Sequence, residues 1–383
     1  MIRLVNLVGA RPQIIKASAV SRAISSARSG DIEEIVVHTG QHYDRKMSEV
    51  FFEELRIPPP NVNLDVGSGP HGRQTALMIT RLEELFRQEK PDVIVVYGDT
   101  NSTLAGALAA VKMHIPVVHV EAGMRSFDKR MPEEVNRIMT DHVSTLLFSP
   151  TIAGFKNLIR EGFAPENSPP YHLNNPKIYH SGDIMYDNSL YFGRLAEEKK
   201  DFLNGLDVEE EGFVLATIHR ESNTDDPARL KSIFRALAEI SSGHDVPVII
   251  PLHPRTVKAL KALPDGFFDK ISGEKRLKII PPVSFLEMTL LEKKAGLIIT
   301  DSGGVQKESH FFRKACLVLR PHTEWVELTD NGNALLTDAD ERRITEGFEK
   351  YWGKKDLSFP GFYGDGHTAA FIVGEIADLF EQH

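Results

Sequence analysis

The chain is poor in cysteine and tryptophan, with one Cys and two Trp in 383 residues. A single thiol excludes an internal disulfide framework and a cysteine metal cluster. Cys316 lies in the apolar run 315–319. Apolar surroundings raise a thiol pKa, so a buried structural thiol is expected rather than a nucleophile. Positive charge is also short: 45 Lys and Arg stand against 54 Asp and Glu, a formal charge of −9. That balance disfavours a nucleic-acid surface, so an anionic ligand would need locally placed cations and helix N-termini. No apolar run approaches the ~20 residues of a membrane helix. GxGxxG after the first strand, the P-loop, Gly-x-Ser-x-Gly and HExxH are all missing. An ordinary dinucleotide oxidoreductase and a metal site are therefore disfavoured. The N-terminus opens on an apolar strand without the layout of a signal peptide. A cytoplasmic protein is expected, with no membrane or nucleic-acid partner.

Hydrophobic residues make up 41% and charged residues 26% of the chain, as in soluble globular proteins, and its length suits two domains. Apolar runs at 4–8, 34–38, 93–97, 117–120 and 146–149 read as strands of a first half. Runs at 214–218, 248–252, 277–280, 297–300 and 316–319 read as strands of a second. They are rich in Val, Ile and Leu without alternation, which indicates strands covered on both faces. Helical stretches such as 74–90, 102–113 and 227–241 separate them. The expected fold is α/β, with two doubly wound, Rossmann-like parallel-sheet domains facing across a cleft. Such sheets bind ligands at the C-terminal ends of their strands. The Pro- and Asn-rich segment 164–177 reads as a hinge region, and the charged stretch 197–211 as a solvated surface.

The residues after the strands carry the chemistry. Asp301-Ser302-Gly303-Gly304 follows the apolar run 296–299 and precedes a helical pattern. Glycines let a backbone approach a ligand, and the first N–H groups of a helix point at it. A phosphate seat and a plain helix cap both fit this stretch, with Glu308 a helical turn further on. The first strand ends in Gly9-Ala10-Arg11-Pro12, with Lys16 following, and two cations there suit an anion. Asp99 follows the third strand, where an N-cap is the alternative. Glu121 follows the fourth, with pairing to Arg125 as the structural alternative. Glu133 and Glu134 open a helix after Pro132, where acids favour the dipole. Asp99, Glu121 and Glu133 together could hold different protonation states, one acid and one base. His219 with Arg220, and His253 with Arg255, follow successive strands of the second half and suit proton exchange and phosphate contact.

Taken together, these residues resemble the non-hydrolysing UDP-N-acetylglucosamine 2-epimerases. The matching pieces run in the family's order over nearly the whole chain. They are Gly9-Ala10-Arg11-Pro12 with Lys16, Gln41-His42, Gly98-Asp99-Thr100, the run from His119 to Arg125 and the run from Pro132 to Arg137. His219-Arg220-Glu221, Asp301-Ser302-Gly303-Gly304 with Glu308, and Tyr363-Gly364-Asp365-Gly366 complete them. The resemblance implies a glycosyltransferase-B-like fold, with an N-terminal domain over 1–172 and a UDP-binding domain over 173–366. Helix 367–383 would pack back on the first domain. It implies inversion of C2 of a UDP-linked N-acetylhexosamine: the anomeric C–O bond breaks, the C2 proton leaves, and UDP adds back to a 2-acetamidoglucal. No cofactor or metal is implied. Asp99, Glu121, Glu133, His219 and Lys16 would be catalytic. Arg11, Arg137, Arg220, Ser302, Gly303, Gly304, Glu308 and Arg320 would bind UDP-sugar. Gln41, His42 and His253 would be regulatory or second-sugar contacts. A homodimer supplying surface polysaccharide synthesis is implied as well.

Two departures bear on the substrate. Gln13 stands where the family commonly has Glu, and Thr323-Glu324-Trp325-Val326-Glu327 where many members have Thr-Glu-Arg-Pro-Glu. The latter looks like the branch acting on UDP-2,3-diacetamido-2,3-dideoxyglucuronic acid. A glycosyltransferase using a UDP-sugar is the competing class, although the first-half carboxylates argue against it. A hydrolysing epimerase and a non-catalytic UDP-sugar sensor are further alternatives.

Overall fold

The computed structural model describes residues 1–40, 52 and 54–381. Gln41 and His42 lie outside the described residues. The chain divides into two compact units, Met1–Asn188 with Gly361–His383, and Ser189–Pro360.

The first unit holds β1 (Ile2–Val8), β2 (Ile32–His38), β3 (Val62–Asn63), β4 (Val93–Tyr97), β5 (Val117–Val120), β6 (Leu146–Ser149) and β7 (Lys177–His180). They form one sheet in the order β3-β2-β1-β4-β5-β6-β7, and every pairing is parallel. The second unit holds β8 (Val214–Thr217), β9 (Val248–Pro251), β10 (Leu277–Ile280), β11 (Leu297–Thr300), β12 (Cys316–Val318) and β13 (Ala334–Leu336). Their order is β10-β9-β8-β11-β12-β13, again parallel throughout. Strand order reverses between β1 and β4 in the first sheet and between β8 and β11 in the second. A doubly wound sheet opens a crevice at such a reversal, beyond the strands' C-terminal ends.

Strand residues without alternation are buried on both faces, as the apolar runs predict. Val5, Leu7, Ile94 and Val96 pack with Met78, Leu82 and Phe86 of helix His71–Glu89. Val214, Ile250, Leu297 and Ile299 pack with Leu230, Phe234 and Leu237 of helix Pro227–Gly243. Each such fully buried side chain contributes about 1.5–3 kcal/mol. Helix Asn101–Lys112 is small-residue rich and lies close to the sheet: a Cβ on Gly106 would meet Leu7 Cδ2 at 2.2 Å.

The boundary between the units differs from 172/173. β7 adds to the first sheet, and the crossing to the second unit falls inside helix Ile184–Leu195. Segment 164–177 is accordingly a loop of the first unit rather than the hinge. Lys177 donates to the carbonyls of Pro165 (2.8 Å) and Asn167 (2.9 Å), and Asn175 donates to those of Ser168 and Pro170 (both 2.9 Å). The return crossing is at Pro360–Gly361, and the first unit keeps helix Thr368–Glu381, which packs on helix Arg11–Ala27. Phe371 meets Phe148 and Tyr179 edge-on, at 6.0 and 5.4 Å between ring centroids. Tyr179 donates to Glu375 at 2.6 Å.

The stretch 197–211 is also more than a solvated surface. Glu197 bridges Lys293 (2.7 Å) and Lys294 (3.2 Å), and Glu211 pairs with Lys314 (2.9 Å). Partial burial opposes ionisation of Glu197, but the two ammonium groups outweigh it and hold the carboxyl at about 2.

Candidate active site

At the β1/β4 reversal the first unit gathers charged side chains. Helix Arg11–Ala27 starts directly after β1, with Pro12 in its first turn. Arg11 is exposed at that start. Gln13 explains its own departure from the family pattern. Its Oε1 accepts from the backbone N–H of Gly9 (2.8 Å) and Ala10 (3.1 Å). Its Nε2 donates to the Tyr97 carbonyl at 2.7 Å and to the hydroxyls of Thr100 and Thr103. An ionised Glu could accept but could not donate to a carbonyl. The amide therefore ties the β1 exit to the β4 exit.

One turn on, Lys16 pairs with Glu121 at the end of β5. Both side chains are mostly buried, at 14% and 21% exposure. Glu121 has φ +77°, a left-handed backbone that costs a non-glycine residue roughly 1–3 kcal/mol. Its N–H is held by the Phe148 carbonyl at 3.0 Å. The pair lies against the β4 exit: a Cβ on Gly98 would stand 3.3 Å from Glu121 Oε2 and 3.6 Å from Lys16 Nζ. The expected alternative, Glu121 with Arg125, is not formed. Arg125 instead meets Asp141 (2.7 Å) and Glu161 (2.6 Å).

Asp99 meets Arg137 at 2.5 Å, and the same guanidinium reaches Glu134 at 3.0 Å. Asn136 donates to the Asp99 carbonyl at 2.9 Å. Helix Pro132–His142 is thus fastened to the β4 exit. Of its two acids, Glu134 is buried and accepts from the N–H groups of Ser126 (2.8 Å) and Phe127 (2.9 Å). Burial opposes its ionisation, but these donors and Arg137 hold its carboxyl below the usual range. Glu133, one residue earlier, is exposed. The two acids of this turn are therefore adjacent residues with opposite burial, Glu134 committed to structural contacts and Glu133 open.

Sequence reading missed the support beneath this cluster. His119, fully buried on β5, has Nδ1 2.7 Å from Asp141 and Nε2 2.8 Å from the Gly98 carbonyl. Asp141 also accepts from the Gly123 N–H at 3.1 Å. Its burial is overcome by the His119 and Arg125 contacts, which keep its carboxyl below the usual range. The signal was a polar His in an otherwise apolar strand, with an acid at the far end of the following helix.

At the β8/β11 reversal the second unit gathers backbone. Asp301 is fully buried and accepts at 3.1 Å from the N–H groups of His219 and Arg220 and from the Asn223 side-chain amide. His219 Nδ1 also lies 3.1 Å from this carboxylate, and its side chain stays 55% exposed. Ser302 caps helix Gly303–Phe311, its hydroxyl accepting from the Val305 N–H. The cap reading is realised, and it leaves the Gly303 and Gly304 N–H groups in the first turn, where a helix offers no partner. Glu308 reaches back toward them: a Cβ on Gly304 would stand 3.8 Å from its Oε2. Arg320 is buried and pairs with Glu324 at 2.8 Å, and a Cβ on Gly303 would meet Glu324 Oε1 at 2.5 Å. His253 caps helix Pro254–Lys261, accepting from the Arg255 N–H at 3.3 Å.

The lone thiol is fully buried on β12, and burial pushes Cys316 up to about 12. Among the described residues no cluster of His, Cys, Asp and Glu could hold a metal ion. No helix among them is long and apolar enough to cross a membrane.

A family model for UDP-N-acetylglucosamine 2-epimerase matches residues 25–377. A UDP-2,3-diacetamido-2,3-dideoxy-D-glucuronate 2-epimerase of Pseudomonas aeruginosa is 45% identical over 98% of this chain and all of its own. The structure of the UDP-GlcNAc 2-epimerase from Methanocaldococcus jannaschii is 40% identical, with TM-score 0.86, over 98% of this chain and all of that one. A second structure of the Methanocaldococcus jannaschii enzyme, in complex with UDP-GlcNAc and UDP, covers the same shares with TM-score 0.79 at 40% identity. The tandem of two doubly wound sheets is the glycosyltransferase-B-like architecture. This chain belongs to the UDP-N-acetylglucosamine 2-epimerase family.

Proposed function

We propose that this protein interconverts UDP-GlcNAc-type and UDP-ManNAc-type sugars at C2 without hydrolysis. The observation that carries the reading is the cluster at the β4 and β5 exits, Asp99 with Arg137 and Glu121 with Lys16, with exposed Glu133 one helical turn before Arg137. C2 of the sugar carries no adjacent carbonyl, so its proton leaves together with the anomeric C–O bond. One carboxylate takes the C2 proton, the C1–O bond breaks, and UDP departs with the bonding pair to give a 2-acetamidoglucal. UDP oxygen then attacks C1 again, and a second carboxylic acid delivers a proton to the opposite face of C2. Charge and oxidation state return to their starting values.

Asp99, Glu121 and Glu133 supply the proton transfers. Lys16 neutralises charge developing on the leaving group. Arg11, His219, Ser302, Gly303 and Gly304 hold the diphosphate, and Glu308 the ribose hydroxyls. Arg137, Arg220 and Arg320 complete the substrate contacts. The complex of the Methanocaldococcus jannaschii enzyme with UDP-GlcNAc and UDP supports a UDP-sugar as ligand. A cytoplasmic homodimer feeding polysaccharide synthesis fits this reading.

The same reaction on UDP-2,3-diacetamido-2,3-dideoxyglucuronic acid is favoured by Thr323-Glu324-Trp325-Val326-Glu327 and by the Pseudomonas aeruginosa relative. Each nucleotide sugar is incubated with the protein in deuterated water, without acceptor. Deuterium at C2 is expected, with the faster substrate naming the sugar. No exchange in any UDP-HexNAc would sink the epimerase reading. Transfer to an added acceptor would favour the glycosyltransferase.

A further inference from the structure

Trp325 belongs to the segment that departs from the family's common pattern, and its side chain is committed to the turn at Gly303. It is 7% exposed, and its indole N–H donates to the Gly303 carbonyl at 2.9 Å. The Lys307 ammonium sits over the ring, 4.3 Å from the centroid. The segment is fastened beside this contact. The Trp325 N–H donates to Thr323 Oγ1 at 3.1 Å, and that hydroxyl donates to Gln306 Oε1 at 2.6 Å. The Gln306 amide then donates to the Ser302 carbonyl at 3.1 Å. Two successive carbonyls, Ser302 and Gly303, are thus each held by a side-chain donor.

A trans peptide is planar, with its C=O and N–H pointing in opposite directions. Fixing the Ser302 carbonyl aims the Gly303 N–H, and fixing the Gly303 carbonyl aims the Gly304 N–H. These are the N–H groups of the first helical turn, which have no partner within the helix. Both belong to glycine, the residue with the widest backbone freedom, so an external hold has most to restrict here.

Resting on the nucleotide-sugar reading above, we propose that Trp325 is a positioning residue for the diphosphate. Its indole N–H locks the Gly303–Gly304 peptide so that the Gly304 N–H faces the phosphate oxygens. Trp325 touches no phosphate itself. It lowers the ordering that the anion would otherwise have to impose on a glycine peptide.

The test separates phosphate from nucleoside. UDP and uridine are titrated against the full-length protein, against Trp325→Phe, and against a variant with 3-benzothienylalanine at 325. The latter keeps the bicyclic shape and replaces the N–H with sulfur, which guards against a Phe variant that folds poorly. Removing one hydrogen bond of ordinary strength should weaken UDP about 3- to 10-fold in both variants. Uridine binding should stay unchanged. A Thr323→Val variant, which loses the Gln306 contact and the acceptor of the Trp325 backbone N–H but keeps the indole N–H, should weaken UDP less. Equal weakening of UDP and uridine would make Trp325 a packing residue only and overturn the proposal, as would unchanged UDP affinity in the benzothienyl variant. Absence of UDP binding to the unaltered protein would instead remove the nucleotide-sugar reading, and this inference with it.

Discussion

The two units share a topology and use its reversal point differently. In the first, the β1, β4 and β5 exits present charged side chains in cross-pairs: Lys16 with Glu121, and Asp99 with Arg137. In the second, the β8 and β11 exits are organised around one fully buried carboxylate, Asp301, which holds backbone N–H groups. On the proposed reading, the first unit would move protons and the second would present N–H donors to an anion. One sheet geometry serves both because the reversal leaves strand ends open, whatever the residues beyond them contribute. Substitution should therefore act on rate in the first unit and on affinity and stability in the second.

Glu121→Gln is the strongest test of that contrast. C2 exchange should fall about 10²–10⁴-fold, as for loss of one acid/base group, while UDP titration changes little. A variant that exchanges normally would place the chemistry elsewhere. Asp301→Ala should invert the pattern. Several donors lose one acceptor in a buried place, and urea denaturation should report a loss of roughly 2–4 kcal/mol together with weaker UDP binding. Unchanged stability would dissolve the distinction between a side-chain site and a backbone site.

A smaller effect concerns pH and lies wholly in the second unit. Glu197 is held at about 2 against an ordinary value of 4.5, so its contribution is present above pH 4.5 and is lost as pH falls toward 2. The stability gap between the protein and Glu197→Gln should be full at neutral pH and close across that window in denaturation series. Smallest of all is the response to a thiol reagent. Cys316 is buried and pushed up to about 12, so native protein should keep its activity and label only after unfolding. Rapid labelling of native protein would show that the second unit's interior opens near β12.

The strand cores were legible because buried parallel strands read as unbroken Val, Ile and Leu runs. β4, β5, β6, β10 and β11 match their apolar runs residue for residue. β3, β7 and β13 were not legible: β3 and β13 are only two and three residues long, and β7 is largely polar and aromatic. β7 carried the domain boundary with it. Its run Lys177–His180 has one apolar aliphatic residue, and the prolines before it drew attention to a hinge that is a loop. The positions of Asp99 and Glu121 just past β4 and β5 were legible from the apolar runs before them. The partners of Arg125 were not, because Asp141 and Glu161 are distant in sequence and come together only through packing. Nor did the sequence order of Trp325 reveal that its ring turns back toward Gly303.

The unit that starts the chain also contains its last helix, Thr368–Glu381, laid on Arg11–Ala27. A ribosome therefore delivers the two units out of order. Ser189–Pro360 is continuous and can close as soon as it has emerged, whereas the earlier unit must wait, one helix short, with the face of Arg11–Ala27 uncovered. Synthesis time thus becomes a period of exposure for the half that holds Asp99, Glu121 and Glu133, and a stall or cleavage before Thr368 would injure the beginning of the molecule rather than its end.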